Sequence, residues 1–78
     1  MITINYFGNI AEAAQSDSET LDLKSVSLED LLSLLDTKYG ISKFQFQVAV
    51  NRKIISTKQG LSLSDRDEIA LLPPFSGG

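Results

Sequence analysis

Alternation opens the chain. Ile2, Ile4 and Tyr6 alternate with Thr3 and Asn5, a period of two that predicts a strand ended by Gly8-Asn9. Residues 10–15 are good helix formers but few, and predict a helical turn or two. Ser16-Asp17-Ser18 is a polar break, after which Thr20-Leu21-Asp22-Leu23 alternates weakly as a second strand. The period then changes. Leu28, Leu31, Leu32, Leu35 and Tyr39 follow at spacings of three and four, an apolar stripe on a helix of about three turns. Ser27 is its expected N-cap, with Asp30 replacing the usual Glu or Gln of a capping box. Gly40 suits the C-terminal end, and Lys38 sits near the negative pole of the helix dipole. Residues 41–47 form an ambiguous connection. Val48-Ala49-Val50 and Lys53-Ile54-Ile55 predict two strands around a tight Asn51-Arg52 turn. Gln59-Gly60 marks another turn, and Ser64-Asp65-Arg66-Asp67 a polar one before the last strand, Glu68-Ile69-Ala70-Leu71-Leu72. Pro73-Pro74 ends that strand, because proline donates no ladder hydrogen bond.

The order is strand, strand, helix, then three strands. It predicts an α+β domain, a mixed sheet with one main helix across one face. The β-grasp architecture has this order, and it would place the first and last strands side by side in mid-sheet. Parity adds a second expectation. If Ile2, Ile4 and Tyr6 face the helix, Phe7 turns outward, and one of the consecutive Ile54 and Ile55 must do the same. If Ile69 and Leu71 face the core, Ala70 and Leu72 face out. Phe7, one isoleucine of the pair and Leu72 are therefore expected to form an exposed apolar patch where the tail leaves, unless these edge residues curl under loops.

Composition narrows the chemistry. The 78 residues include no Cys, His or Trp, and the formal net charge is −3. A chain of this length is one domain, burying about 60% of its unfolded surface. Zinc sites with N/S ligands, Cys-ligated clusters, disulfides, catalytic thiols and a histidine base are excluded, and no metal site is expected. The acidic balance argues against nucleic acid as a partner. No apolar run approaches the roughly 20 residues that span a bilayer. The first residues lack a basic signal-peptide region, so no membrane association and a cytoplasmic address are expected. Glu29-Asp30 reads as a helix N-terminus, Asp65, Asp67 and Glu68 as a solvated turn, and Arg52-Lys53 as a solvated hairpin tip.

What remains is the tail. Pro73-Pro74-Phe75-Ser76-Gly77-Gly78 carries no charged side chain. Residues 1–72 form the expected domain and 73–78 a flexible extension reaching roughly 20 Å. Its prolines favour an extended start, and its glycines make the end as thin as polypeptide can be. Such a probe could enter a narrow tunnel and present a carboxylate in another protein's active site. Two glycines together at the end arise by chance about 0.5% of the time, which favours the functional reading over accident. Ser76 has no base in the sequence to activate it, so it reads as a small residue that fits a tunnel.

The segment Asp65-Arg66-Asp67-Glu68-Ile69-Ala70-Leu71-Leu72-Pro73-Pro74-Phe75-Ser76-Gly77-Gly78 resembles the C-terminus of the molybdopterin synthase small-subunit family. Ala49-Val50-Asn51 and Ile2-Thr3-Ile4-Asn5-Tyr6-Phe7 are similar to that family as well. The resemblance implies a ubiquitin-like β-grasp fold and a sulfur carrier. A ubiquitin-activating-like adenylyltransferase would use ATP to adenylate the Gly78 carboxylate, and a sulfur donor protein would convert it to a thiocarboxylate. The charged tail would then enter the large subunit of molybdopterin synthase and give its sulfur to a cyclic pyranopterin precursor. This chain would bind no cofactor itself. The resemblance assigns Gly77, Ser76, Phe75, Pro74 and Pro73 to the inserted tail. It assigns Leu72, Phe7 and Ile54 (rather than Ile55) to partner contacts. Ala11 stands where many relatives carry arginine, and Phe75 where Val or Ile is common. The alternatives are a carrier for thiamine thiazole or tRNA thiolation, a ubiquitin-like protein modifier, and a β-grasp interaction module with an inert tail.

Overall fold

A computed structural model describes residues 1–55 and 60–74. Its elements are β1 (Ile2–Tyr6), α1 (Gly8–Ala14), β2 (Ser18–Leu21), β3 (Ser25–Ser27), α2 (Leu28–Tyr39), a 3-10 turn (Ile41–Lys43), β4 (Gln47–Val50), β5 (Lys53–Ile55), β6 (Ser62–Ser64) and β7 (Glu68–Leu72). The main sheet runs β2-β1-β7-β4-β5, and β3 with β6 makes a separate ribbon. β1 and β7 lie parallel at its centre, Ile4 opposite Ile69 and Tyr6 opposite Leu71. Their outer neighbours pair antiparallel. This is the expected α+β mixed sheet of the β-grasp type.

The period of two puts Ile2, Ile4 and Tyr6 inward beside Ile69, Leu71 and Val48, all buried. The helical period puts Leu28, Leu31 and Leu35 against them, with Ile41 and Leu63 completing the same cluster. Each such side chain stabilises the fold by about 1.5–3 kcal/mol when fully buried. Leu34, off the stripe, is exposed.

The caps form as the sequence suggests. Ser27 Oγ accepts the Asp30 backbone N–H at 3.0 Å. Gly40 is left-handed (φ +68°), and its N–H donates to the Asp36 carbonyl at 2.7 Å. Asn51 and Arg52 both have positive φ, 52° and 72°, the primed turn that matches strand twist in a two-residue hairpin.

Two differences from the sequence reading are instructive. The second strand occupies Ser18–Leu21 rather than 20–23, because its register against β1 pairs Ser18 with Asn5 and Leu21 with Ile2. The Leu23 N–H then turns back to the Leu21 carbonyl at 2.9 Å. The β3–β6 ribbon was not expected. It pairs Val26 with Leu63 between flanking serines, so each strand offers a single large apolar residue and no alternation to read.

Among the described residues, no helix is long and apolar enough to cross a membrane.

Candidate functional site

The tail root is built by the two central strands. Because β1 and β7 are parallel, both chains leave the sheet at the same end. Phe7, in extended conformation (φ −135°, ψ 152°), follows Tyr6 as Leu72 follows Leu71. Gly8 then takes φ +60° and turns the chain into α1. That backbone is strained for any residue with a Cβ. The Pro73 ring lies against it, so a Cβ at Gly8 would stand 3.7 Å from Pro73 Cγ. Phe7, Ile10, Phe44, Pro73, Pro74 and Lys43 line a cleft of about 320 Å³ at this root. Pro73 and Pro74 are exposed. Phe75, Ser76, Gly77 and Gly78 lie outside the described residues.

The sheet's uncovered face carries the apolar positions. Phe7 is 44% exposed and Ile54 52%, whereas Ile55 is half-buried. Leu72 faces the same way but is also half-buried, so the continuous exposed patch expected from parity is corrected in detail. Register explains it. Ile54 sits opposite Ala49, Ala49 opposite Ala70, and Ala70 opposite Asn5. Leu72 lies in the neighbouring row opposite Gln47. Two small residues thus make a low floor between Ile54 and the tail root. Alternation predicts that Ala70 faces outward, but it does not show that Ala70 borders Ala49, which in turn borders Ile54. Gln47 Oε1 is buried beside this row with no hydrogen-bond partner among the described residues.

Sequence reasoning also missed the group that holds the end of β1. Glu19 Oε1 accepts hydrogen bonds from the Tyr6 hydroxyl (2.8 Å) and the Tyr39 hydroxyl (2.6 Å), while Glu19 Oε2 pairs with Lys38 Nζ. The two rings meet edge-to-face, centroids 5.8 Å apart. Burial pushes the Tyr6 hydroxyl well above its ordinary range, and the bond to Glu19 adds to this. Burial also pushes Glu19 upward, but hydrogen bonds from Lys38, Tyr39 and Tyr6 outweigh it and hold the carboxyl below its usual range. No spacing along the chain relates Tyr6, Glu19 and Lys38, and only the fold brings them together.

Ala11, where the resemblance noted a missing arginine, is half-buried on α1 against the core. Among the described residues no set of three or more carboxylates gathers as metal ligands. The described part of the site is a tail root flanked by the exposed apolar side chains Phe7 and Ile54.

A family model described as the ThiS family matches residues 4–78. The chain is 28% identical to a molybdopterin synthase sulfur carrier subunit of Drosophila yakuba, covering 99% of this chain and 90% of that protein. Among solved structures it is similar to the small archaeal modifier protein 1 of Methanosarcina acetivorans, with 28% identity and TM-score 0.75, covering 99% and 95% of the two chains. It is also similar to a chain in the complex of subunits 1 and 2 of the molybdopterin-converting factor of Helicobacter pylori 26695, with 26% identity, TM-score 0.66 and coverage of 99% and 97%.

Proposed function

The chain belongs to the ThiS family, and from this premise we propose that it is a ubiquitin-like sulfur carrier serving as the small subunit of a molybdopterin synthase. The observation that carries the reading is the reach of the family match through residue 78, which includes Gly77 and Gly78. The Drosophila relative and the Helicobacter two-subunit complex support the molybdopterin assignment and a large-subunit partner.

Each part of the chain has a role in this reading. Gly78 presents its carboxylate to an adenylyltransferase of the ubiquitin-activating kind. One carboxylate oxygen attacks the α-phosphorus of ATP, and pyrophosphate leaves. Hydrosulfide released by a donor protein attacks the acyl carbon, AMP leaves with the bonding pair of its C–O bond, a proton is lost, and a thiocarboxylate results. Gly77 and Ser76 keep the approach narrow, Phe75 fills the tunnel mouth, and Pro74 and Pro73 aim it. Phe7, Leu72 and Ile54 dock the domain on its partners. In the large subunit the sulfur passes to a cyclic pyranopterin precursor. The dithiolene product needs two sulfurs and each carrier delivers one, so the carrier dissociates and is recharged between transfers. ATP, donor sulfur and pterin are bound by the partners.

The test is intact-mass spectrometry after incubation with ATP, the activating enzyme and a sulfur donor. The expected product has one oxygen replaced by sulfur. An unchanged mass, with a known carrier converted in parallel, overturns the reading.

The likeness to the archaeal modifier protein favours a second reading, a protein modifier joined through Gly78 to lysines of other proteins. Both readings share activation at Gly78. Sulfur delivery to the precursor by the large subunit selects the first, and isopeptide-linked conjugates select the second.

A further inference from the structure

A second groove lies along a flank of α2 and shares no residue with the tail-root cleft. It is an open depression of about 600 Å³. Leu32 and Phe46, over the buried Ile41, supply its apolar lining, and Ser33, Ser42, Glu29 and Asp36 its polar lining. Leu32 and Phe46 are half-buried, each leaving part of its apolar surface open. Glu29 and Asp36 are seven residues apart, so they stand on one flank separated by about 10 Å along the axis. Neither is neutralised among the described residues, where the ion pairs involve Asp65 and Glu19. Lys43, which follows the groove residue Ser42 in sequence, lies 5.3 Å over the Phe44 ring and lines the other cleft. Asp36 Oδ1 accepts the Ser42 N–H at 2.7 Å, which fixes the carboxylate at the groove edge and leaves Oδ2 for another donor.

We propose that this groove seats an amphipathic helical segment of a partner protein, lying along α2 with two cationic side chains seven residues apart and leucines between them. Charge complementarity selects this occupant. An apolar lining alone would accept any greasy segment, but two carboxylates at that spacing, without an ion-pair partner among the described residues, disfavour acidic ones and set the register of a basic one. Because the groove shares no residue with the tail root, a protein held there leaves Pro73, Pro74 and Ile54 uncovered.

The experiment is an NMR titration of the full ¹⁵N-labelled chain. The probe is a capped helical peptide with arginine at positions i and i+7, leucine at i+3 and i+4, and alanine and glutamine elsewhere. Saturable shifts confined to the amides of 29–36 and 41–46 are expected, with weak affinity, about 0.1–1 mM. Glu29→Gln and Asp36→Asn should each weaken binding by about two- to fivefold; the asparagine can still accept the Ser42 N–H. Phe46→Ala, checked for native spectral dispersion, should weaken it further, and added salt should weaken the wild type but not the double amide variant. No saturable shift up to about 2 mM peptide, equal shifts from a scrambled peptide with its arginines two apart, or shifts centred on the Ile54 face overturn the proposal.

Discussion

The turns that open β1 and β7, and the tail root at the other end of the sheet, are built on opposite principles. At the end where β1 and β7 begin, polar groups stitch several elements together. The Asn51 N–H donates to the Glu68 carbonyl (2.7 Å), and Asn51 Oδ1 accepts the Glu68 N–H (3.0 Å). Asp67 accepts from the Ser64 N–H (2.8 Å) and from Asn51 Nδ2 (3.2 Å). The Arg66 N–H donates to the Met1 carbonyl, and the Met1 amine pairs with Asp65. At the tail root, the bare end, the Glu19 bonds stop at Tyr6, and beyond them Phe7, Pro73 and Pro74 line one cleft with the Pro73 ring beside Gly8; neither proline has an N–H to donate. Hydrogen bonds are directional and costly to orphan, so the stitched end suits stability. Apolar contact is non-directional and readily exchanged for a partner's surface, so the bare end suits docking and release.

This contrast can be broken experimentally, and the largest effect belongs to the bare end. Deleting Gly78 should abolish thiocarboxylate formation in the mass assay while leaving the Tm within a degree or two of wild type; retained conversion would remove the tail from the chemistry. Next, Ile54→Asp should weaken binding to the activating enzyme or the large subunit by about tenfold or more, as expected for an apolar anchor. Because Ile54 is half exposed, its denaturant midpoint should barely move, and an equal loss of stability would place Ile54 in the core instead. At the stitched end the pattern reverses. Asp67→Ala removes the acceptor of the exposed Ser64 N–H and Asn51 amide, at a cost of about 0.5–1.5 kcal/mol in denaturant unfolding, with charging at Gly78 unchanged in rate. The smallest effect is acid-dependent. The Glu19 carboxyl is held below its unfolded value of about 4.3, so the stability it contributes is present above that pH and is lost as pH falls through the lower folded value. Thermal melts should show wild type converging on Glu19→Gln below about pH 4; parallel curves across that range would deny Glu19 its role in holding Tyr6.

Much of this architecture is legible from the sequence because it rests on local periodicity. Leu28, Leu31 and Leu35 identify α2, Ser27 and Gly40 bound it, and the alternation at Ile2, Ile4 and Tyr6 orients β1. The unread parts depend on contacts distant in sequence. Glu19 finds Tyr6, Lys38 and Tyr39 from separate elements. Asn51 reads locally as a turn residue, yet its side chain is spent on β7. Gly8 reads as a strand end, yet its open α-carbon is where the Pro73 ring rests. At the candidate site, Phe7 and Ile54 follow from parity, whereas the partial burial of Leu72 depends on neighbours that only the register supplies.

The parallel pairing of β1 with β7 also has a mechanical consequence. When a partner draws on the tail, the pull enters at the C-terminal end of β7 and runs along the strand axis. The hydrogen bonds between β7 and its neighbours lie across that axis. They are therefore loaded together in shear, not peeled one after another as at a frayed edge. Under the proposed function, a carrier inserted and withdrawn by its tail would be gripped by its handle at the point where the domain is hardest to unravel.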